Sequence, residues 1–238
     1  MIAACLEEGP EATGVFLPDL PGCWAFGRTR DSALQKAAAL ADAWPAWLHL
    51  HRLAVDVDLA GPVTVAEVLR VDYNPALANK PEPLFWSEMR PVGQSEIERA
   101  LRLMRAARID LLKLVQGVGA QAYDYRPPFG PRSIGETLEH IANAEWWYVT
   151  RLEIALPARL PRDPLARLTH VRAMVEDAIL HLPRDRRHGV YQPVRYTAAS
   201  SRVASLWTAR KVLRRFVDHE RLHTRWLVRT LHTWSTSG

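Results

Sequence analysis

Cysteine, lysine and long apolar runs are the scarce features of this 238-residue chain. Its two cysteines, Cys5 and Cys23, form no C-x-x-C pair. That fits a reducing cytoplasm and a fold without disulfides. No stretch approaches the roughly 18 apolar residues of a membrane span. Met1-Ile2-Ala3-Ala4-Cys5-Leu6 runs straight into Glu7-Glu8, without the basic and apolar regions of a secretory leader. A cytoplasmic chain with no membrane partner is therefore expected. Only four of the 31 basic residues are lysine. The arginines are spread along helical segments rather than massed, which argues against a nucleic-acid surface.

The length suits one large domain or two small ones and can bury a core without covalent support. Charge divides it unevenly. Residues 1–75 carry 5 basic and 10 acidic side chains, and residues 76–238 carry 26 and 16. The asymmetry suggests two modules. Residues 1–73 read as a small α/β domain. Apolar runs at 2–6 and 13–17 flank a Glu-Glu-Gly-Pro turn, and Pro21-Gly22 precedes the strand-like Cys23–Phe26. Asp31 is the predicted N-cap of a helix over Ser32–Trp44, which Pro45 ends or kinks. Val63–Val71 reads as a strand. Residues 74–93, with Pro75, Pro81, Pro83 and Pro91, read as a linker. Residues 94–238 are helical in pattern, with helices predicted over 94–117, 133–157, 163–182 and 205–234. Four amphipathic helices of this length fit a four-helix bundle, and the connection over 183–204 is long enough for a crossover or functional loop.

Near the C-terminus stands His219-Glu220-Arg221-Leu222-His223. This H-E-x-x-H spacing puts both imidazoles on one helix face, where they can chelate one transition-metal ion. The usual reading is a zinc protease with the Glu as general base, and that reading fails on the residues downstream of the motif. No Asp or Glu comes after Glu220, and the extended motif would need Gly and His where Trp226 and Arg229 stand. His232, nine residues past His223, falls on the opposite face at about 100° per residue.

Any third ligand must then come from upstream. Bundles build metal sites from side chains projecting inward from facing helices. His140, in Leu138-Glu139-His140-Ile141-Ala142-Asn143-Ala144-Glu145-Trp146-Trp147, is the best placed. Three imidazoles leave an open coordination position, the arrangement of a catalytic site. His170, His181 and His232 read as surface or core helix residues, His188 as a loop residue, and His49 and His51 lie outside the bundle. Glu220 sits about 100° round the helix from a ligand. It can be a base, an acceptor for an imidazole N–H, or a surface charge. Trp146, Trp147, Tyr148, Trp207 and Trp226 lie at core spacing. Cys23 reads as a structural thiol, with reactivity the lesser alternative.

Residues 94–238 resemble the DinB/YfiT-like family of four-helix-bundle metalloproteins. The resemblance rests on Leu138-Glu139-His140 with Glu145 and Trp147. It rests equally on Trp207-Thr208-x-Arg210-Lys211-Val212-Leu213 leading into Asp218-His219-Glu220-x-x-His223. It implies a divalent metal, zinc or nickel, held by His140, His219 and His223. It further implies a small-molecule substrate and, by likeness to several relatives, a low-molecular-weight thiol such as bacillithiol or mycothiol as cosubstrate.

Residues 1–72 resemble the HicB-like antitoxin module through Val15-Phe16-Leu17-Pro18-Asp19-Leu20-Pro21-Gly22-Cys23-Trp24-Ala25-Phe26-Gly27, then Asp31-Ser32-Ala33-Leu34 and Ala37. That likeness implies a β-β-β-α-β sheet and a homodimerisation or ligand-sensing role. Together the two resemblances imply an α+β chain: a HicB-like domain followed by an all-α bundle. The functional expectation is a metal-dependent enzyme, such as a thiol S-transferase or a hydrolase. The alternative is a binding or regulatory protein in which the HicB-like half recognises a partner and the metal is structural or absent.

Overall fold

A computed structural model describes residues 1–55, 57–59, 61–76, 82–193 and 205–236. Pro81 and the 194–204 part of the predicted long connection lie outside the described residues. The chain is α+β, with a four-stranded sheet at its N-terminal end followed by a helical region. It divides into two compact units, Met1–Val92 with His188–Arg214 and Gly93–Arg187 with Arg215–Gly238.

The first unit is built on strands β1 (Ile2–Glu8), β2 (Thr13–Phe16), β3 (Trp24–Gly27) and β4 (Val63–Arg70), with helix α1 (Arg30–Leu50) between β3 and β4. The β-β-β-α-β order implied by the N-terminal resemblance is the order seen. In space the strands run β3-β2-β1-β4. β1 pairs antiparallel with β2 and parallel with β4. A parallel partner needs a crossover connection, and α1 supplies it. As a central strand β1 is almost continuously buried, from Ile2 through Ala4, Cys5 and Leu6. Its buried Glu7 accepts a 2.7 Å hydrogen bond from the Tyr73 hydroxyl.

Helix α1 differs from its prediction at both ends. Thr29, not Asp31, is the N-cap: its Oγ1 accepts from the Ser32 amide at 3.2 Å, and Ser32 Oγ accepts from the Thr29 amide. Asp31 lies in the first turn, where its charge favours the helix dipole. Nor does Pro45 end the helix, which continues to Leu50. Ala33, Ala37, Ala41, Trp44 and Leu48 form one buried stripe, so packing on both sides of the proline outweighs its missing N–H. The small residues let the helix approach β2 and β3 closely. At Gly27 a Cβ would stand 2.5 Å from the Ala33 nitrogen, so this glycine is needed for room; the positive φ, +90°, belongs to Gly22 in the preceding turn.

The described part of the predicted linker is packed. It carries a 3-10 turn at Trp86–Met89 and buries Phe85, Glu88 and Val92. Glu88 accepts a 2.6 Å bond from Arg214 Nε, while the Arg214 guanidinium lies 4.9 Å over the Phe16 ring. Cys5 and Cys23 are buried free thiols, and burial pushes Cys5 up to about 11.

The second unit holds helices α2 (Gln94–Val115), α3 (Ala120–Asp124), α4 (Ile134–Thr150) and α5 (Pro164–Leu180). The short α6 (Arg184–His188) and the long α7 (Ala209–Thr236) both run in sequence from one unit into the other. α5 packs against α4 and α2, and α3 against α4. Ile97, Leu101, Met104, Leu138, Leu168 and Val175 are among its buried side chains, each contributing roughly 1.5–3 kcal/mol through burial. No helix among the described residues is long and apolar enough to cross a membrane.

Candidate metal centre

Two helices of the second unit supply the imidazoles. α4 begins at a capping box: Ser133 Oγ accepts from the Glu136 amide, and the Glu136 carboxylate accepts from the Ser133 amide at 2.9 Å. Ile134, Leu138, Ile141, Ala142 and Val149 form its buried stripe, and His140 sits half-buried beside it. On α7, Phe216 and Val217 are buried just before His219, and Leu227 just after His223. One helical turn separates the two histidines.

The three rings converge. His219 Nε2 lies 3.1 Å from His140 Nε2 and 3.2 Å from His223 Nε2. One donor atom from each residue falls within 4.8 Å of the others, and this is the cluster of metal-binding type among the described residues. Ring centroids stand 4.4–4.9 Å apart. Three imidazole nitrogens in mutual contact cannot all be satisfied by each other's protons, because a neutral ring has one donor and one acceptor. Two nitrogens about 2.0–2.1 Å from a shared ion would lie roughly 3.0–3.4 Å apart, which the observed separations match. The donor set therefore fits a divalent transition-metal ion.

Burial, reinforced by neighbouring positive charge, favours the neutral, ligating form of each ring. Burial, followed by the Arg132 charge, lowers His140 to about 4. Burial, then His140, Arg132 and Arg215, lowers His223 to about 3. His219 is held well below the ordinary range by burial, its two histidine neighbours and both arginines.

The other histidines lie elsewhere. His49, His170, His181, His188 and His232 are exposed, and His51 packs its ring on Trp47.

A family model described as the DinB superfamily matches residues 103–227, more than half of the chain and all three clustered histidines. The chain belongs to the DinB superfamily. No curated protein and no solved structure matches it. DinB-like domains commonly bind metal, and the histidine cluster is one that can hold an ion.

In this DinB-superfamily chain Glu220 is not the surface charge its sequence position allows. It is fully buried, and its carboxylate accepts from Arg108 Nε and Arg172 Nη2, each at 2.5 Å. Arg108 and Arg172 also donate to Glu145. One residue from each of α2, α4, α5 and α7 thus forms a buried quartet of two positive and two negative charges. The arginines' remaining donors reach the Leu168 and Met104 carbonyls. Burial alone would raise the Glu145 pKa, yet Arg108 and Arg172 hold it below the ordinary range. Sequence reasoning missed this quartet. Its signal was present: Arg108 stands among buried Met104, Ala107 and Leu111, and Arg172 between buried Val171 and Val175.

Tyr148, expected at core spacing, also neighbours the imidazoles, and its partner Arg215 was not foreseen. The Tyr148 ring meets His219 edge to face at 5.8 Å, and its hydroxyl accepts from Arg215 Nη2 at 3.0 Å. Of the aromatics predicted as core, Tyr148 and Trp207 are buried, whereas Trp146, Trp147 and Trp226 are half-exposed.

Proposed function

We propose that His140, His219 and His223 hold a divalent metal, zinc or nickel, and that the chain is a metal-dependent enzyme acting on a small molecule with a low-molecular-weight thiol as cosubstrate. The observation that carries this reading is the convergence of three imidazoles from two helices, His219 Nε2 lying 3.1 Å from His140 Nε2 and 3.2 Å from His223 Nε2. A divalent cation held by three protein ligands keeps a position open and lowers the pKa of the thiol or water that binds there. The chain's own part is to supply neutral donors, fix their directions from two packed helices, and keep competing carboxylates away. Glu145 and Glu220 are engaged by Arg108 and Arg172. An S-transferase is the favoured reaction class, and a hydrolase differs only in water replacing the thiol.

The test is spectroscopic. Nickel-loaded protein titrated with 2-mercaptoethanol is expected to develop a sulfur-to-nickel charge-transfer band that His219→Ala lacks. A nickel-loaded protein whose spectrum ignores thiol would rule out the thiol cosubstrate.

For the N-terminal unit, the β-β-β-α-β order supports a HicB-like module, with dimerisation or ligand sensing as its role. A regulatory protein that binds a partner through this unit is the alternative, and it predicts a stable complex without turnover.

A further inference from the structure

The two helices that carry the imidazoles are joined, through buried charges, to two helices that carry none. On α4, Glu145 stands five residues after His140, and on α7, Glu220 follows His219 directly. The acids therefore lie roughly 7.5 Å and 1.5 Å along their helices from those histidines. Arg108 of α2 spans both acids, with Nη2 2.9 Å from Glu145 Oε1 and Nε 2.5 Å from Glu220 Oε1. Arg172 of α5 spans them again, from Nη2 to both carboxylates and from Nε to Glu145 Oε2 at 3.3 Å. All four side chains are buried.

The arginines also grip each other's helices. Arg108 Nη1 donates to the Leu168 carbonyl at 3.0 Å, and Arg172 Nη1 to the Met104 carbonyl at 2.8 Å. Leu168 stands four residues before Arg172, and Met104 four before Arg108. The grip is reciprocal and uses backbone, so a slip of α2 past α5 by one residue, about 1.5 Å, would break both bonds. The Tyr148–Arg215 hydrogen bond joins α4 to α7 directly; the quartet ties both to the helices without a histidine ligand.

Stability alone does not explain such a clamp. Desolvation of four charges opposes their pairing, and an apolar core of the same volume would hold the bundle at least as well. Apolar packing lacks direction: it tolerates volume-conserving changes, whereas forked, charge-assisted bonds do not. Metal ligands need direction, because their donor atoms must be held within about 0.5 Å of a working geometry. His219 and His223 share a helix, but His140 must be brought to them from another, and its Nε2 lies 3.1 Å from that of His219.

We infer that Arg108, Glu145, Arg172 and Glu220 are positioning residues for the histidine cluster, fixing the register of α4 against α7 so that His140 meets His219 and His223 at metal-binding distance. This rests on the proposed metal-site reading and deepens it. The Glu of H-E-x-x-H then serves the site by aligning the helix that carries two of its ligands.

Cobalt(II) is the probe, since the intensity of its visible bands reports coordination geometry. The full chain is titrated with cobalt beside a quadruple variant, Arg108→Met, Glu145→Leu, Arg172→Met and Glu220→Leu, with folding followed by circular dichroism and urea unfolding. The variant is expected to stay folded, because apolar side chains replace the whole charged group. It should bind cobalt about 10–100-fold more weakly and with an altered visible spectrum. Arg172→Lys keeps the charge and loses the fork, and should fall between the two. A purely structural quartet would move the urea midpoint alone. A folded quadruple variant that binds cobalt within about twofold of the wild type, with the wild-type spectrum, overturns the inference and leaves the metal site standing. If that variant does not fold, Arg172→Lys decides by the same affinity and spectrum. A wild-type chain that binds no cobalt overturns the metal reading, and this inference with it.

Discussion

At the scale of single residues, Glu220 shows how position and neighbours can point in different directions. Its place in H-E-x-x-H suggests a base, but its carboxylate is spent on Arg108 and Arg172. A quartet of buried charges does not stabilise a fold strongly in net terms, because desolvation opposes the pairing. Removing one member is different, since it leaves an uncompensated charge. Glu220→Gln is expected to cost about 3–5 kcal/mol in urea unfolding. A protease-like base would instead leave stability nearly unchanged on substitution. The pair His219 and His223 was legible in the sequence because i, i+4 spacing is a local property, whereas His140 was reached only by asking which facing bundle helix could supply a third imidazole. The quartet was not, because pairing between residues as far apart as 108 and 220 depends on packing that no local pattern records.

At the scale of elements, the five long helices were legible in approximate place and their ends less so, while the short α3 and α6 were not foreseen. The strong helices centred near 140, 172 and 220 come from apolar stripes longer than three turns. Ends depend on competition between neighbouring polar residues. At α1 both Thr29 and Asp31 are good caps, and the pairing of Thr29 with Ser32 decides for Thr29. Thr29→Ala should therefore cost about 1 kcal/mol. Asp31→Ala should cost only about 0.3–1 kcal/mol, through the helix dipole. Paired urea denaturations measure the difference, and a larger cost at Asp31 would show that the cap is assigned wrongly. The helix passing through Pro45 has the same lesson. Burial of Trp44 and Leu48 is a tertiary effect, invisible in a proline read alone.

At the scale of the whole molecule, the α+β class was legible from the change of period after residue 93, from strand-like runs to helical stripes. The packing of Phe85 and Glu88 was hidden by the prolines around them. The imidazole cluster links the second unit's stability to pH. In the metal-free chain His140 and His223 titrate near 4 and 3, below the ordinary value of 6.5. The unfolded state therefore takes up protons first as the pH falls. Their contribution is fully present above about pH 6.5 and is lost on acidification toward those lower values. Unfolding midpoints of metal-free protein should fall between about pH 6.5 and about pH 4.5, and His140→Gln should flatten that slope. A slope unchanged by the substitution would mean that His140 is not buried in its neutral form.

The central claim is that three histidines from two helices form one metal site, and metal content tests it most directly. Elemental analysis of the purified chain, after equilibration with zinc and gel filtration, should give about one ion per chain, as one three-imidazole site requires. His140→Ala and His219→Ala should each lose most of it while remaining folded. Equal metal content in the wild type and both variants, or none in any of them, would contradict the account.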